Sequence, residues 1–171
     1  LGSANSGNNT NWYFGTSVIS VAGPSGFNNS GAVIPISVTY GSTMTVTGFP
    51  TISLDTGTIT NFGTATYVSG RGSNVLVFNY TVQPGDYNLD LEYNAINSLS
   101  LSGGTIKNAV AEDANLVLPV PGALNSLSQT SDIVVDTIAP TITSIASLTA
   151  SGQYTIASNI TIRVNFSESI T

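Results

Sequence analysis

Residues 32–45 read Ala-Val-Ile-Pro-Ile-Ser-Val-Thr-Tyr-Gly-Ser-Thr-Met-Thr, and residues 158–171 read Ser-Asn-Ile-Thr-Ile-Arg-Val-Asn-Phe-Ser-Glu-Ser-Ile-Thr. The two stretches lie 126 positions apart, from 32 to 158. Apolar residues fall on alternate positions: Ile34, Ile36, Val38 and Tyr40 in the first, Ile160, Ile162, Val164 and Phe166 in the second. Alternation with period two marks a strand that buries one face. A repeat this long corresponds to a whole domain. The chain therefore reads as one module followed by the opening strands of another, the organisation of a tandem array.

Outward from this stretch the pattern continues. Strands are expected at 17–22, 33–40, 44–47, 51–54, 65–68, 75–82, 89–93, 115–118 and 132–136, separated by clusters of Gly, Pro, Asn and Ser. Leu76, Phe78, Tyr80 and Val82 supply a strong inward face. No segment carries a sustained helical period, so any helix is a short turn. Many short strands with turn clusters predict an all-β, two-sheet sandwich with Greek-key style connections. Residues 1–16 read as a linker or the tail of a preceding module, 17–136 as the sandwich, and 137–171 as a linker and partial second repeat. Pro140 restricts its predecessor to extended backbone and stiffens that passage. Beyond it, 142–145 and 159–166 read as two strands, which alone are marginal in water.

Composition narrows the function. Charged residues make up 7% of the 171, against about 25% in ordinary soluble domains. Thr, Ser, Asn and Gly fill the polar positions instead, a surface suited to extracellular β proteins. Three basic residues oppose nine acidic ones for a net charge of −6, which excludes nucleic acid as a partner because phosphate neutralisation needs Lys and Arg. No run approaches the roughly 18 apolar residues of a membrane-spanning helix, so the chain is read as not membrane-embedded. Cysteine and histidine are absent, which removes disulfides, thiolate metal sites and the usual general bases and activated nucleophiles. Carboxylate pairs support glycoside hydrolysis in some enzymes, but no aromatic-lined cleft is legible around those here. The chain reads as non-enzymatic.

Two sets of residues stand out as candidate sites. Asp86, Asp90, Glu92, Glu112, Asp113 and Asp136 are a hard, oxygen-only donor set, and calcium, which takes six to eight oxygens, is the cofactor they would suit. The alternative makes Asp90 and Glu92 the solvated face of a strand at 89–93, and no contiguous Asp-x-Asp-x-Asp-Gly loop is present. Trp12 and Tyr13, followed by Phe14, form an aromatic cluster. It reads either as a plug against a preceding module or as a ligand-binding platform. Lys107, beside Asn108, is either an exposed lysine or a partner in an intramolecular isopeptide bond.

A resemblance is carried by residues 46–55 (Val-Thr-Gly-Phe-Pro-Thr-Ile-Ser-Leu-Asp), 67–80 (Tyr-Val-Ser-Gly-Arg-Gly-Ser-Asn-Val-Leu-Val-Phe-Asn-Tyr) and 82–93 (Val-Gln-Pro-Gly-Asp-Tyr-Asn-Leu-Asp-Leu-Glu-Tyr), together with 103–108, 116–127 and 135–140. These segments resemble the immunoglobulin-like repeats of large bacterial cell-surface and adhesin proteins. The resemblance implies an immunoglobulin-like sandwich located extracellularly at the cell surface. It implies a stalk, spacer or fibre-forming role, often calcium-stiffened, with adjacent repeats or neighbouring subunits as partners. Two alternatives remain beside it. One is an adhesin module recognising a glycan or host-surface protein, and the other a filament subunit assembling by strand addition. One departure stands out: where such repeats often read Gly-Asn-Asp-Ala, residues 111–114 read Ala-Glu-Asp-Ala, which alters the turn.

Overall fold

The computed structural model describes residues 15–57 and 62–169. It divides into two compact units, one running to Thr137 and the other beginning at Ile138. The first unit opens with β1 (Val18–Ala22), β2 (Gly26–Asn28) and β3 (Val33–Thr47). Next come β4 (Thr51–Asp55), β5 (Gly63–Ser69) and β6 (Ser73–Thr81). The short strands β7 (Tyr87–Asn88), β8 (Glu92–Tyr93), β9 (Leu99–Ser100) and β10 (Thr105–Asn108) follow. A single helical turn, α1 (Leu127–Thr130), precedes β11 (Ile133–Asp136).

The larger sheet has the order β1-β3-β6-β5-β4-β8, with β10 also on β3 and β9 also on β4. Its pairs are all antiparallel. The smaller sheet has the order β2-β11-β7, with β2 and β11 parallel. Strand β3 organises the larger sheet: Ile34, Ile36, Val38, Tyr40, Met44 and Val46 are buried, and their neighbours face outward or lie at the margin. The strands expected at 33–40 and 44–47 are one strand of 15 residues. A register shift against β6 between Thr39 and Met44 absorbs the intervening segment, so both halves keep the same inward face.

The inward face read for residues 76–82 is in place, with Leu76, Phe78, Tyr80 and Val82 all buried. Phe78 meets Tyr67 of β5 edge to face at 5.8 Å, a favoured aromatic geometry. Gly70 makes the tight β5–β6 connection possible. Its φ is +105°, and a Cβ there would lie 2.0 Å from the Val75 carbonyl oxygen, so no other residue fits. Ile133 and Val135 of β11, with Leu91 and Leu118 from connections and Leu127 of α1, complete one core between the sheets. The architecture is an all-β sandwich-type fold.

Two expected strands differ. Residues 89–93 do not form one strand, because Asp90 N donates to the Asn88 side-chain carbonyl at 2.9 Å and turns the chain between β7 and β8. Leu91 then bonds to Ile133 O at 2.9 Å. Residues 115–118 lack a ladder. Asn115 N bonds to Thr16 O, Val117 N to the Asn115 side chain and Leu118 N to Ile96 O. Their donors are thus satisfied singly.

The second unit holds β12 (Ile142–Ser147) and β13 (Ile162–Phe166), an antiparallel pair. Ile142, Ile145, Ile160, Ile162, Val164 and Phe166 are all exposed. Among the described residues no helix is long and apolar enough to cross a membrane.

Candidate functional site

Glu92 and Asp136 lie in the short strands β8 and β11, and the other four candidate carboxylates fall on connections. Asp86 follows the Pro84-Gly85 turn between β6 and β7 and is buried. Its Oδ2 accepts from the Tyr80 hydroxyl and from Gln83 N at 2.6 Å. Its backbone oxygen accepts from Thr137 Oγ1 at 2.9 Å and Thr137 N at 3.2 Å, while Gly85 N donates to Thr137 Oγ1 at 2.8 Å. A buried carboxylate without such donors would cost several kcal/mol. Burial, and then the Asp86 hydrogen bond and charge, hold the Tyr80 phenol well above its ordinary pKa, so Tyr80 stays a donor. Asp136 closes β11 opposite Tyr87, at the same end.

Glu92 is a clamp. Its carboxylate accepts from Tyr93 N at 3.0 Å, Gly122 N at 3.2 Å, Leu127 N at 3.3 Å, Ser128 N at 3.2 Å and Ser128 Oγ at 2.9 Å. It thereby fastens the loop after Pro119 and the start of α1 onto β8. Tyr93 adds a second fastening through its hydroxyl, which donates to Pro119 O at 2.6 Å. Nearby Asp90 is exposed. Partial desolvation, then the charges of Asp132 and Glu92, raise its carboxyl above the usual range.

Glu112 and Asp113 belong to the turn after β10. The Asn108 side chain donates to Glu112 Oε2 at 2.7 Å and accepts from Val110 N and Glu112 N at 3.0 and 2.9 Å. Ala111 sits in the left-handed region at φ 65°, the conformation for which Gly is preferred. In the turn of residues 111–114, Ala therefore occupies the strained position. Asp113 pairs with Lys107 at 2.5 Å, the two side chains 80% and 36% exposed. An ion pair this open contributes little to stability.

The six acids thus lie in three places: Asp86 with Asp136, Asp90 with Glu92, and Glu112 with Asp113. Among the described residues no group of three or more acids is placed to hold a metal ion. Asp86, Glu92 and Glu112 already accept from donors of the chain, and the candidate calcium set is not assembled there. Trp12 and Tyr13 lie outside the described residues.

A cleft lined by Asp55, Phe62, Glu92, Tyr93 and Pro121 does bring two carboxylates to one surface. Asp55 Oδ1 accepts from Gly57 N at 3.0 Å, and Glu92 holds the clamp just described, so both serve the scaffold. Sequence reading missed the Glu92 clamp because its partners other than Tyr93 lie 30 to 36 residues away and no local spacing reports them. The chain matches no protein-family model, no curated protein and no solved structure.

Proposed function

We propose that the first unit is a non-enzymatic, load-bearing module, a stalk or spacer element of a repetitive extracellular surface protein. The observation that carries this reading is the parallel pairing of β2 with β11, in which Ile133, Val134 and Val135 stand opposite Gly26, Phe27 and Asn28. Tension drawn through the two ends of the unit pulls parallel neighbours along their length in opposite directions. Their hydrogen bonds are then sheared together, whereas an antiparallel pair pulled at one end opens bond by bond.

Two serine side chains and a further backbone bond reinforce the seam. Gly23 N donates to Ser131 Oγ at 2.8 Å, Asp132 N to Ser25 Oγ at 2.9 Å and Gly26 N to Asp132 O at 2.8 Å. Each such bond contributes only about 1 kcal/mol at equilibrium, so the seam matters more under load than at rest. Single-molecule extension of the chain tests the reading. Replacing Ser25 and Ser131 together by Ala lowers the rupture force while unfolding in urea shifts only modestly. An unchanged rupture force overturns the load-bearing role.

A further inference from the structure

The sequence repeat covers one strand, but the structure repeats a whole hairpin. In the first unit Val18, Ser20, Val21 and Ala22 stand opposite Tyr40, Thr39, Val38 and Ser37, with an irregularity between Val18 and Ser20. In the second, Ile142, Ser144, Ile145 and Ala146 stand opposite Phe166, Asn165, Val164 and Arg163, with an irregularity between Ile142 and Ser144. Adding 124 to the first strand (18 to 142) and 126 to the second (40 to 166) turns one set of pairs into the other, bulge included. The same shifts carry the next hydrogen bond, Gly41 N to Ser17 O, onto Ser167 N to Thr141 O.

The two hairpins differ in what covers them. Val21, Ile34, Ile36, Val38 and Tyr40 are 0% exposed, whereas their counterparts Ile145, Ile160, Ile162, Val164 and Phe166 are 64, 53, 53, 40 and 37% exposed. In the first unit the interface that buries them is fully in view. β6 lies along the second edge of β3 with Phe78 opposite Ile36 and Leu76 opposite Val38, and the core residues of β4, β5 and β11 close the face.

We propose that the face and outer edge of β12–β13 are the docking surface for a second copy of the β4–β11 body. An antiparallel strand of β6 type lies along β13, its apolar residues opposite Ile162 and Val164. Burying five apolar side chains of this size drives the docking strongly. A lone two-stranded hairpin is marginal, and a bare apolar edge invites pairing. The proposal rests on the modular reading but not on load bearing, and docking says nothing of rupture force. The two therefore fail separately.

The test joins a copy of residues 46–137 after Thr171, the position equivalent to Thr45. In the 171-residue chain the outer-edge amides of β13 exchange freely with solvent; in the extended chain they gain at least 100-fold protection, and Ile162→Ala becomes destabilising. Amides that stay unprotected in the extended chain overturn the proposal. A converse variant guards against a junction that simply fails to fold. The first unit receives the hairpin of the second through Val18→Ile, Ile19→Thr, Val21→Ile, Pro35→Thr, Ser37→Arg, Thr39→Asn and Tyr40→Phe. It folds cooperatively if the hairpins are equivalent, and loss of folding overturns the equivalence. Sedimentation of the 171-residue chain decides the remaining occupant. Dimerisation abolished by Ile162→Lys would give the face to a second whole chain and overturn the proposal, and a monomer at all concentrations agrees with it.

Discussion

The β1–β3 hairpin and the β12–β13 hairpin share a register, a bulge and nearly the same inward residues, yet one is the centre of a core and the other lies open. Alternation therefore specifies a strand and which of its faces is apolar, while burial is conferred by whatever lies on that face. In the first unit that cover comes from β6, from β11, from Leu127 of α1 and from Leu91 and Leu118 on the connections. The connections hold their places because Glu92 and Tyr93 fasten them.

The contrast can be broken most directly at equivalent isoleucines. Ile36→Ala is expected to cost about 3 kcal/mol of unfolding free energy through lost burial and a cavity. Ile162→Ala, on the exposed counterpart, changes urea unfolding of the first unit by no more than about 0.5 kcal/mol. Equal losses would mean that the second hairpin is already covered. Next in size, Glu92→Ala releases the loop and α1 together and is expected to cost about 2 kcal/mol by urea titration. Amide exchange at Gly122 and Ser128 should rise more than exchange in β6.

Tyr40 sharpens the comparison, because its counterpart is Phe166. The Tyr40 hydroxyl is buried with no partner among the described residues, and burial holds its phenol well above the ordinary value. Tyr40→Phe is expected to stabilise by about 1 kcal/mol. With the folded pKa raised, the Tyr40 contribution is fully present below the unfolded pKa and is lost as pH rises beyond it. The Phe variant should therefore lose less stability in alkaline unfolding. Smaller again, Ala111→Gly relieves the positive φ and should stabilise by about 0.5 kcal/mol, since the added freedom of the unfolded chain offsets part of the gain.

The smallest effect concerns Asp90. Its raised pKa means the carboxyl is more easily protonated in the folded state, so stability falls as pH rises through that value. Asp90→Asn stabilises slightly at pH 7, and the advantage disappears below the unfolded pKa of about 3.9. Paired unfolding curves at the two pH values check it.

How much of this was legible in the sequence differs by element. The inward residues of β3 and β6 were readable because nine or more consecutive residues alternate. β2, β7, β8 and β9 were not, since two or three residues carry no period. The break at Asp90 depends on one Asn88 side chain, a tertiary choice that the run of Leu89, Leu91 and Tyr93 conceals. The oxygen-only chemistry of the acids was legible in the sequence, whereas their neighbours in the fold were not. Tyr80 and Gln83 engage Asp86, and Gly122, Leu127 and Ser128 engage Glu92.

The pairing of β2 with β11 also fixes an order of assembly. The β5–β6 turn closes over a few residues, whereas Gly26 meets Ile133 only after 107 further positions of chain, from 26 to 133. Closing the larger loop costs more entropy and comes later. A chain made or threaded from its N-terminus thus keeps the β3 face accessible until β11 has emerged. The β12–β13 hairpin, which repeats the register and apolar positions of β1–β3, emerges only after β11. By then β1–β3 already occupies the first body, and the sequence of emergence keeps two equivalent hairpins from exchanging places.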